Sequence, residues 1–194
     1  MHVTAVLLAA GASRRFGGAK LLADAGGEPL VARTARALLD GGADHVVAVL
    51  GARAVEVGQA LQTLVTRIVL NGRWEDGMFG SVRVGLAAAD PESLRLAVVP
   101  ADLATLEPAD VRRVLDAGRE AGPRTLVVGA HESRRGHPLV FSRLVAERVL
   151  RWPLGRKLSD VFLETDLGVE LVPCGAGVVH DVDAPSDLAP VLVR

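Results

Sequence analysis

The feature that most constrains this chain is an alternation. Short runs of β-branched and other apolar residues take turns with segments whose apolar residues recur at helical spacing. Val3–Ala9, "HVVAVLG" from His45, "TRIVLN" to Asn71, "LRLAVVPAD" to Asp102 and "RTLVVGA" read as strands. Pro29–Leu39, Val55–Leu64, Met78–Ala89 and "LEPADVRRVLDAG" read as the helices between them, with Gly41-Gly42 and Gly118 as stops. Strands that are apolar throughout are buried on both faces. The expectation is an α/β fold in three layers, with helices on either side of an open, mostly parallel sheet.

The rhythm weakens towards the end. "HPLVFS", "VELVPC" and "GVVHDVDA" read as short strands, separated by helical pieces at Leu144–Leu150 and Leu158–Glu164, and a last helix follows Pro185. No linker, repeat or low-complexity segment intervenes, so residues 1–194 read as one domain. Aromatic residues are only 3% and tyrosine is absent, so the core must be built from Val, Leu and Ala.

A net charge of −1 gives no overall attraction to nucleic acid or to anionic lipid, and neither is an expected partner. The single cysteine, Cys174, excludes an intrachain disulfide and a Cys-rich zinc site. No basic leader with an apolar core opens the chain and no apolar run is long enough to span a bilayer, so the expected location is the cytoplasm. His2, His45, His131 and Cys174 take the default reading of surface or core residues.

In open α/β sheets, ligands bind beyond the C-terminal strand ends, so the residues after each strand matter most. After the first comes "LLAAGASRRFGGAK" (Leu7–Lys20). Ser13 breaks the dinucleotide pattern G-x-G-x-x-G, and Phe16 and Leu21 break the Walker pattern. The physics of anion binding survives: Ala9, Ala10 and Gly11 let a ligand approach the backbone amides, and Arg14, Arg15 and Lys20 supply charge for a triphosphate. The plain alternative is a solvated surface loop. After the third strand, Asn71 offers a donor and an acceptor, Gly77 lets the chain pass close to a ring, and Ser81 lies in the first turn of a helix. Their structural alternatives are a turn residue and a cap, and Trp74 reads as a partly buried anchor.

Asp102 closes the fourth strand, where a carboxylate needs a partner; magnesium is one, and the capping of the next helix is another. In "HDVDAPSDL", Asp181 and Asp183 alternate along a strand and share a face, which calls for a cation or donors between them. In "RRGHPLVFS", Gly136 and Pro138 fix a turn that presents His137, while Arg134 and Arg135 either bind an anion or are solvated.

"LAAGASRRFGGAK" resembles the signature L-A-A-G-x-S-x-R-[FM]-G-x-x-K of the MobA-like nucleotidyltransferases, and within them most resembles the molybdenum cofactor cytidylyltransferases. "NGRWEDGMFGSVRVGL", "HPLVF" and "HDVDAPSDL" resemble further segments of that family. The resemblance implies a Rossmann-like fold of the nucleotide-diphospho-sugar transferase type. It implies a nucleotide lying along Leu8, Ala9, Ala10, Gly11 and Ser13, with Arg15 and Lys20 on its phosphates and Asn71, Gly77 and Ser81 in contact with it. It implies Mg²⁺ on Asp102 with Asp181 or Asp183, and an acceptor near His137 and Arg156. Arg15, Lys20 and Asp102 would carry catalysis.

Guanylyltransferase relatives tend to have Gly-Gly within the turn that here reads Ala9-Ala10-Gly11, so the alanine methyls favour cytosine. The implied reaction moves CMP from CTP to the terminal phosphate of molybdopterin and releases pyrophosphate, with a molybdoenzyme as a recipient of the product. Three departures stand out: Ala101 and Ala104 replace the Gly and Pro of G-D-x-P, Ala184 replaces a Thr, and "WPLGRKLSD" lacks the Asp of a G-D-x-G-A-R-like segment. Alternatives are a GTP- or sugar-phosphate-using transferase, an oxidoreductase and a cofactor chaperone.

Overall fold

Valine- and leucine-rich strands supply the middle layer. The computed structural model describes residues 1–153 and 155–189. Seven strands, β1 (Val3–Ala9), β2 (His45–Leu50), β3 (Arg67–Leu70), β4 (Arg95–Pro100), β5 (Thr125–His131), β6 (Arg134–Ser142) and β7 (Gly168–Pro173), form one sheet in the order β3-β2-β1-β4-β6-β5-β7. Every pairing is parallel except those of β6, which runs antiparallel between β4 and β5.

The pleat sends alternate side chains of β1 to opposite faces. Val3, Ala5, Leu7 and Ala9 join a core with α1 (Leu30–Asp40), α2 (Ala54–Leu61) and α4 (Pro108–Glu120). Val6 joins a second core with α3 (Met78–Ala88) and α5 (Arg143–Leu150). Each fully buried Val or Leu side chain contributes roughly 1.5–3 kcal/mol, and these two residues make up most of both cores. The expected three-layer α/β/α arrangement is therefore present.

The ends of the chain's elements were less well marked. The fourth strand stops at Pro100, short of Asp102, and Leu158–Leu163 is a 3-10 turn. "GVVHDVDA" forms no strand: Ala176–Val178 is a 3-10 turn and residues 180–183 are irregular. β3 and β7 are the outermost strands, and the segment pairs with neither. The segment instead crosses the strand ends, tied by Val182 N–H to the Asp102 carbonyl at 2.9 Å, with the Val182 side chain in a small core beside Leu30 and Leu188. After Pro185 the described chain makes a 3-10 turn, Pro185–Leu188. The rest of that expected helix lies outside the described residues.

Parallel pairing has a direct consequence for function. β1 and β4 are in register to Leu8 opposite Pro100, and Ala101 N–H donates to the Leu8 carbonyl at 3.1 Å. The loop after β1 and the loop after β4 thus leave the sheet on the same rim.

Candidate active site

Two adjoining cavities open at that rim. The smaller, of about 380 Å³, is a cradle lined by Ala10, Gly11, Lys20, Ser81, Asp102 and Asp181, among others. The larger, of about 1410 Å³, is a groove whose walls include Phe79, Arg83, Arg135, His137, Leu139 and Phe162. Leu8, Met78 and Pro100 line both, so the two are continuous.

The cradle begins where β1 ends. Ser13 takes up a left-handed conformation (φ 53°) and its carbonyl accepts from Phe16 N–H, which closes a 3-10 turn at Arg14–Phe16. A Cβ on Gly11 would meet nothing within 4 Å, so this residue leaves open space beside the backbone. Ala10 lines the cradle, whereas Ala9 is fully buried in the core and lines neither cavity. The steric argument for cytosine therefore rests on Ala10 alone.

Lys20 and Asp102 face each other. Lys20 Nζ lies 2.6 Å from Asp102 Oδ2 and donates a second bond to the Val182 carbonyl at 2.7 Å. Their side chains are only 11% and 21% exposed, so this is an ion pair largely withdrawn from water. An ammonium has three donors, and one remains for a ligand. Asp102 Oδ1 is buried and, among the described residues, has no hydrogen-bond partner. An orphaned carboxylate oxygen is costly unless something else binds it.

Asp181 and Asp183 also line the cradle, on either side of Val182. Partial withdrawal from water, then the neighbouring charges of Asp102 and Asp183, push the Asp181 carboxyl above the ordinary carboxylate range. Asp183 Oδ2 lies 3.6 Å from Arg15 Nη1, in a contact between two exposed side chains. Arg14 reaches Glu75 at 3.7 Å and is equally exposed. Asp187 accepts from both Asp183 and Ala184 N–H at 2.8 Å and braces this segment. Only the Asp187 half of a capping box is present, because Ala184 has no side-chain acceptor to complete it.

The donor set tests the metal expectation. Among the described residues no group of three or more His, Cys, Asp or Glu is arranged to hold a metal. Mg²⁺ does not require one, because it keeps water and substrate phosphate oxygens and takes one or two carboxylates. The orphaned Oδ1 of Asp102, and an Asp181 carboxyl pushed up first by burial and then by the charges of Asp102 and Asp183, fit such a partial site.

Asn71 and Ser81 stand where the two cavities meet, Ser81 on the cradle and Asn71 on the groove. Asn71 Nδ2 donates to Ser81 Oγ at 3.0 Å, and Asn71 Oδ1 accepts Arg73 N–H at 3.0 Å. The amide retains one hydrogen and one lone pair, and its main work is to fix the turn before α3. Gly77 starts that helix at φ 113°, a conformation L side chains rarely adopt, and it lines the groove rather than the cradle. Trp74 packs against Gly51, where a Cβ would lie 2.6 Å from the Trp74 Cβ, so its reading as an anchor holds; the side chain also lines the cradle.

The groove sorts the acceptor residues. His137 Nδ1 is 3.2 Å from the Val98 carbonyl, which assigns the proton to Nδ1, and burial pushes the imidazole below its ordinary pKa. A neutral ring with Nε2 as acceptor results. Arg156 is already committed: its guanidinium stacks 4.1 Å over the Trp152 ring and bonds Asp160 and Glu164. Arg134 donates to the Val179 carbonyl. Arg135 instead lies in the groove, 4.5 Å over the Phe162 ring, and Arg83 joins it there. Among the described residues neither has a carboxylate at ion-pair distance. Arg83 was missed by sequence reading because a helical arginine carries no signal for the side it serves.

Comparison with known proteins comes out consistently. A model of the MobA-like NTP transferase domain matches residues 5–168. The nicotine blue oxidoreductase of Paenarthrobacter nicotinovorans is 35% identical over 188 residues, covering 93% of this chain and 92% of that protein. A nucleotidyl transferase structure from Methanothermobacter thermautotroptrophicus superposes with a TM-score of 0.84 at 23% identity, over 99% of this chain and 96% of the other. The manganese complex of Rv0371C from Mycobacterium tuberculosis H37Rv superposes with a TM-score of 0.81 at 24% identity, over the whole of both chains.

Proposed function

The chain belongs to the MobA-like NTP transferase family, and we propose that it transfers CMP from CTP to the terminal phosphate of a molybdopterin-type acceptor. The observation that carries this reading is the facing of Lys20 and Asp102 across the rim of β1 and β4, with Gly11 open beside them. A triphosphate needs backbone approach, a partly desolvated cation and carboxylates for a divalent ion within one small cradle. These residues provide all three.

In the reaction an oxygen of the acceptor phosphate bonds to the α-phosphorus, and the bond from that phosphorus to the β-phosphate oxygen breaks. The attacking oxygen is already anionic near neutral pH, so no protein nucleophile or strong base is required. The protein's task is alignment of two polyanions and neutralisation of the charge that moves onto pyrophosphate. Lys20 and Arg15 bind that leaving group. Asp102, with Asp181 or Asp183, would hold a divalent ion such as Mg²⁺, which would shield phosphate charge. His137 Nε2 and the groove arginines orient the acceptor. Ala10 narrows the base side of the cradle and so supports CTP over GTP.

A second reading has its own support. The 35% identical relative is named an oxidoreductase, and the large groove with its Phe79, Leu139 and Phe162 walls would accept a flat aromatic substrate. Pyrophosphate release from CTP, GTP and UTP, each with and without molybdopterin, separates the two. Acceptor-dependent release from CTP is expected. No release from any nucleotide, together with loss of NADPH absorbance that depends on an added flat heteroaromatic substrate, would replace the transferase reading with the redox one.

A further inference from the structure

Lys20 serves the phosphates in the proposed reaction and is also the partner of Asp102, and it cannot keep both places once a divalent ion binds that carboxylate. The ammonium sits 2.6 Å from Asp102 Oδ2 and 2.7 Å from the Val182 carbonyl. A divalent ion bonded to an Asp102 oxygen at roughly 2.0–2.1 Å would lie beside that ammonium. Like charges that close repel strongly where water is largely excluded, as it is around this pair.

The rest of the cradle repeats the pattern. Three carboxylates, those of Asp102, Asp181 and Asp183, meet the cations Lys20 and Arg15. Arg15 rests 3.6 Å from Asp183. The groups that would hold phosphates are the groups now neutralising the acidic cluster.

We propose that Lys20 is the resident counter-ion of Asp102: it keeps a divalent cation off that carboxylate until a polyphosphate draws the ammonium away, so that nucleotide and metal bind cooperatively. This rests on the nucleotidyltransferase reading of the same cradle. When phosphate takes Lys20, Asp102 loses its partner on Oδ2 while Oδ1 already has none. The carboxylate then gains affinity for a cation. Linkage makes the effect reciprocal, so bound cation raises nucleotide affinity by the same factor. A chain built this way does not load metal idly, and it assembles its full charge only around substrate.

The test is Mn²⁺ binding, followed by electron paramagnetic resonance of the free ion, with no turnover involved. Wild type is compared with Lys20→Met, which keeps the stem and drops the charge, and with Lys20→Gln, whose amide can still donate to the Val182 carbonyl. Circular dichroism confirms which variants fold. Without nucleotide, the folded variants are expected to bind Mn²⁺ about tenfold tighter than wild type, within the usual range of coupling. Adding Asp102→Asn to either is expected to abolish the gain. Equal or weaker Mn²⁺ binding by both variants, with CTP-dependent Mn²⁺ binding intact in wild type, would overturn the counter-ion role and leave the metal site standing. Absence of Mn²⁺ binding in every protein, with or without CTP, would remove the metal site and the inference with it.

Discussion

The two cavities sit side by side on one rim yet are built by opposite means. The cradle is small and its charges are paired: Lys20 with Asp102, Arg15 with Asp183. The groove is more than three times larger, mostly apolar, and its arginines 83 and 135 have no carboxylate among the described residues. A small site whose charges neutralise one another in advance suits a constant group such as a triphosphate. An open groove with unpaired cations over aromatic walls defines an acceptor loosely and leaves room for it to vary. The parallel β1–β4 pairing makes the first, while the antiparallel β6 beside β4 widens the second.

The comparison breaks most visibly at Lys20. Lys20→Ala is expected to lower the rate of pyrophosphate release by about 10²–10³, as loss of a charge-assisted donor to a developing oxyanion does. Its melting temperature should fall, because Asp102 is left largely buried without its partner, so the rate is read on protein that circular dichroism shows to be folded. Normal turnover would place the phosphates elsewhere. In the groove, Arg135→Ala should leave nucleotide binding untouched and raise the acceptor KM about tenfold, the share of one charged hydrogen bond. A fall in kcat with unchanged KM would move Arg135 out of acceptor binding.

A smaller effect concerns pH. Burial holds the His137 imidazole neutral in the folded chain, while the unfolded chain takes up a proton below its ordinary pKa of about 6.5. The unfolded state therefore binds more protons in that window. Stability is full above about pH 6.5 and falls as the pH drops toward the lowered folded value. His137→Gln should flatten that part of the profile, measured by melting temperature against pH. An unchanged slope would show that His137 is not the group responsible. The smallest effect is expected at Arg156. Its ring stack and two carboxylates make it a brace, so Arg156→Ala should cost about 0.5–1 kcal/mol in denaturant unfolding and leave acceptor KM within about twofold. A large rise in acceptor KM would restore it to the binding surface.

Much of the cradle was legible because its chemistry is local in sequence. Gly11, Arg15 and Lys20 lie on one loop, and Asp102 sits just past a strand whose apolar run is unmistakable. What the residues do to one another was not legible, since the Lys20–Asp102 pair spans 82 positions and only the register of β1 on β4 brings it together. Residues 180–183 looked like a strand because their apolar and acidic residues alternate. Alternation cannot say whether a segment runs beside a sheet edge, and this one is tied to the loop after β4 instead. Asn71 likewise has the chemistry of a base reader, but its turn to Arg73 and its bond to Ser81 occupy much of it. The groove was the least legible part. Its walls come from α3, β6 and the 3-10 turn at Leu158–Leu163, each of which reads simply as amphipathic structure.

The most direct measurement is a crystal structure with CTP and Mg²⁺ bound. The account predicts the β- and γ-phosphates beside Gly11, with Lys20 and Arg15 turned onto them and Asp102 released to the cation. Phosphates bound outside the cradle, with the Lys20–Asp102 pair still closed, would contradict it.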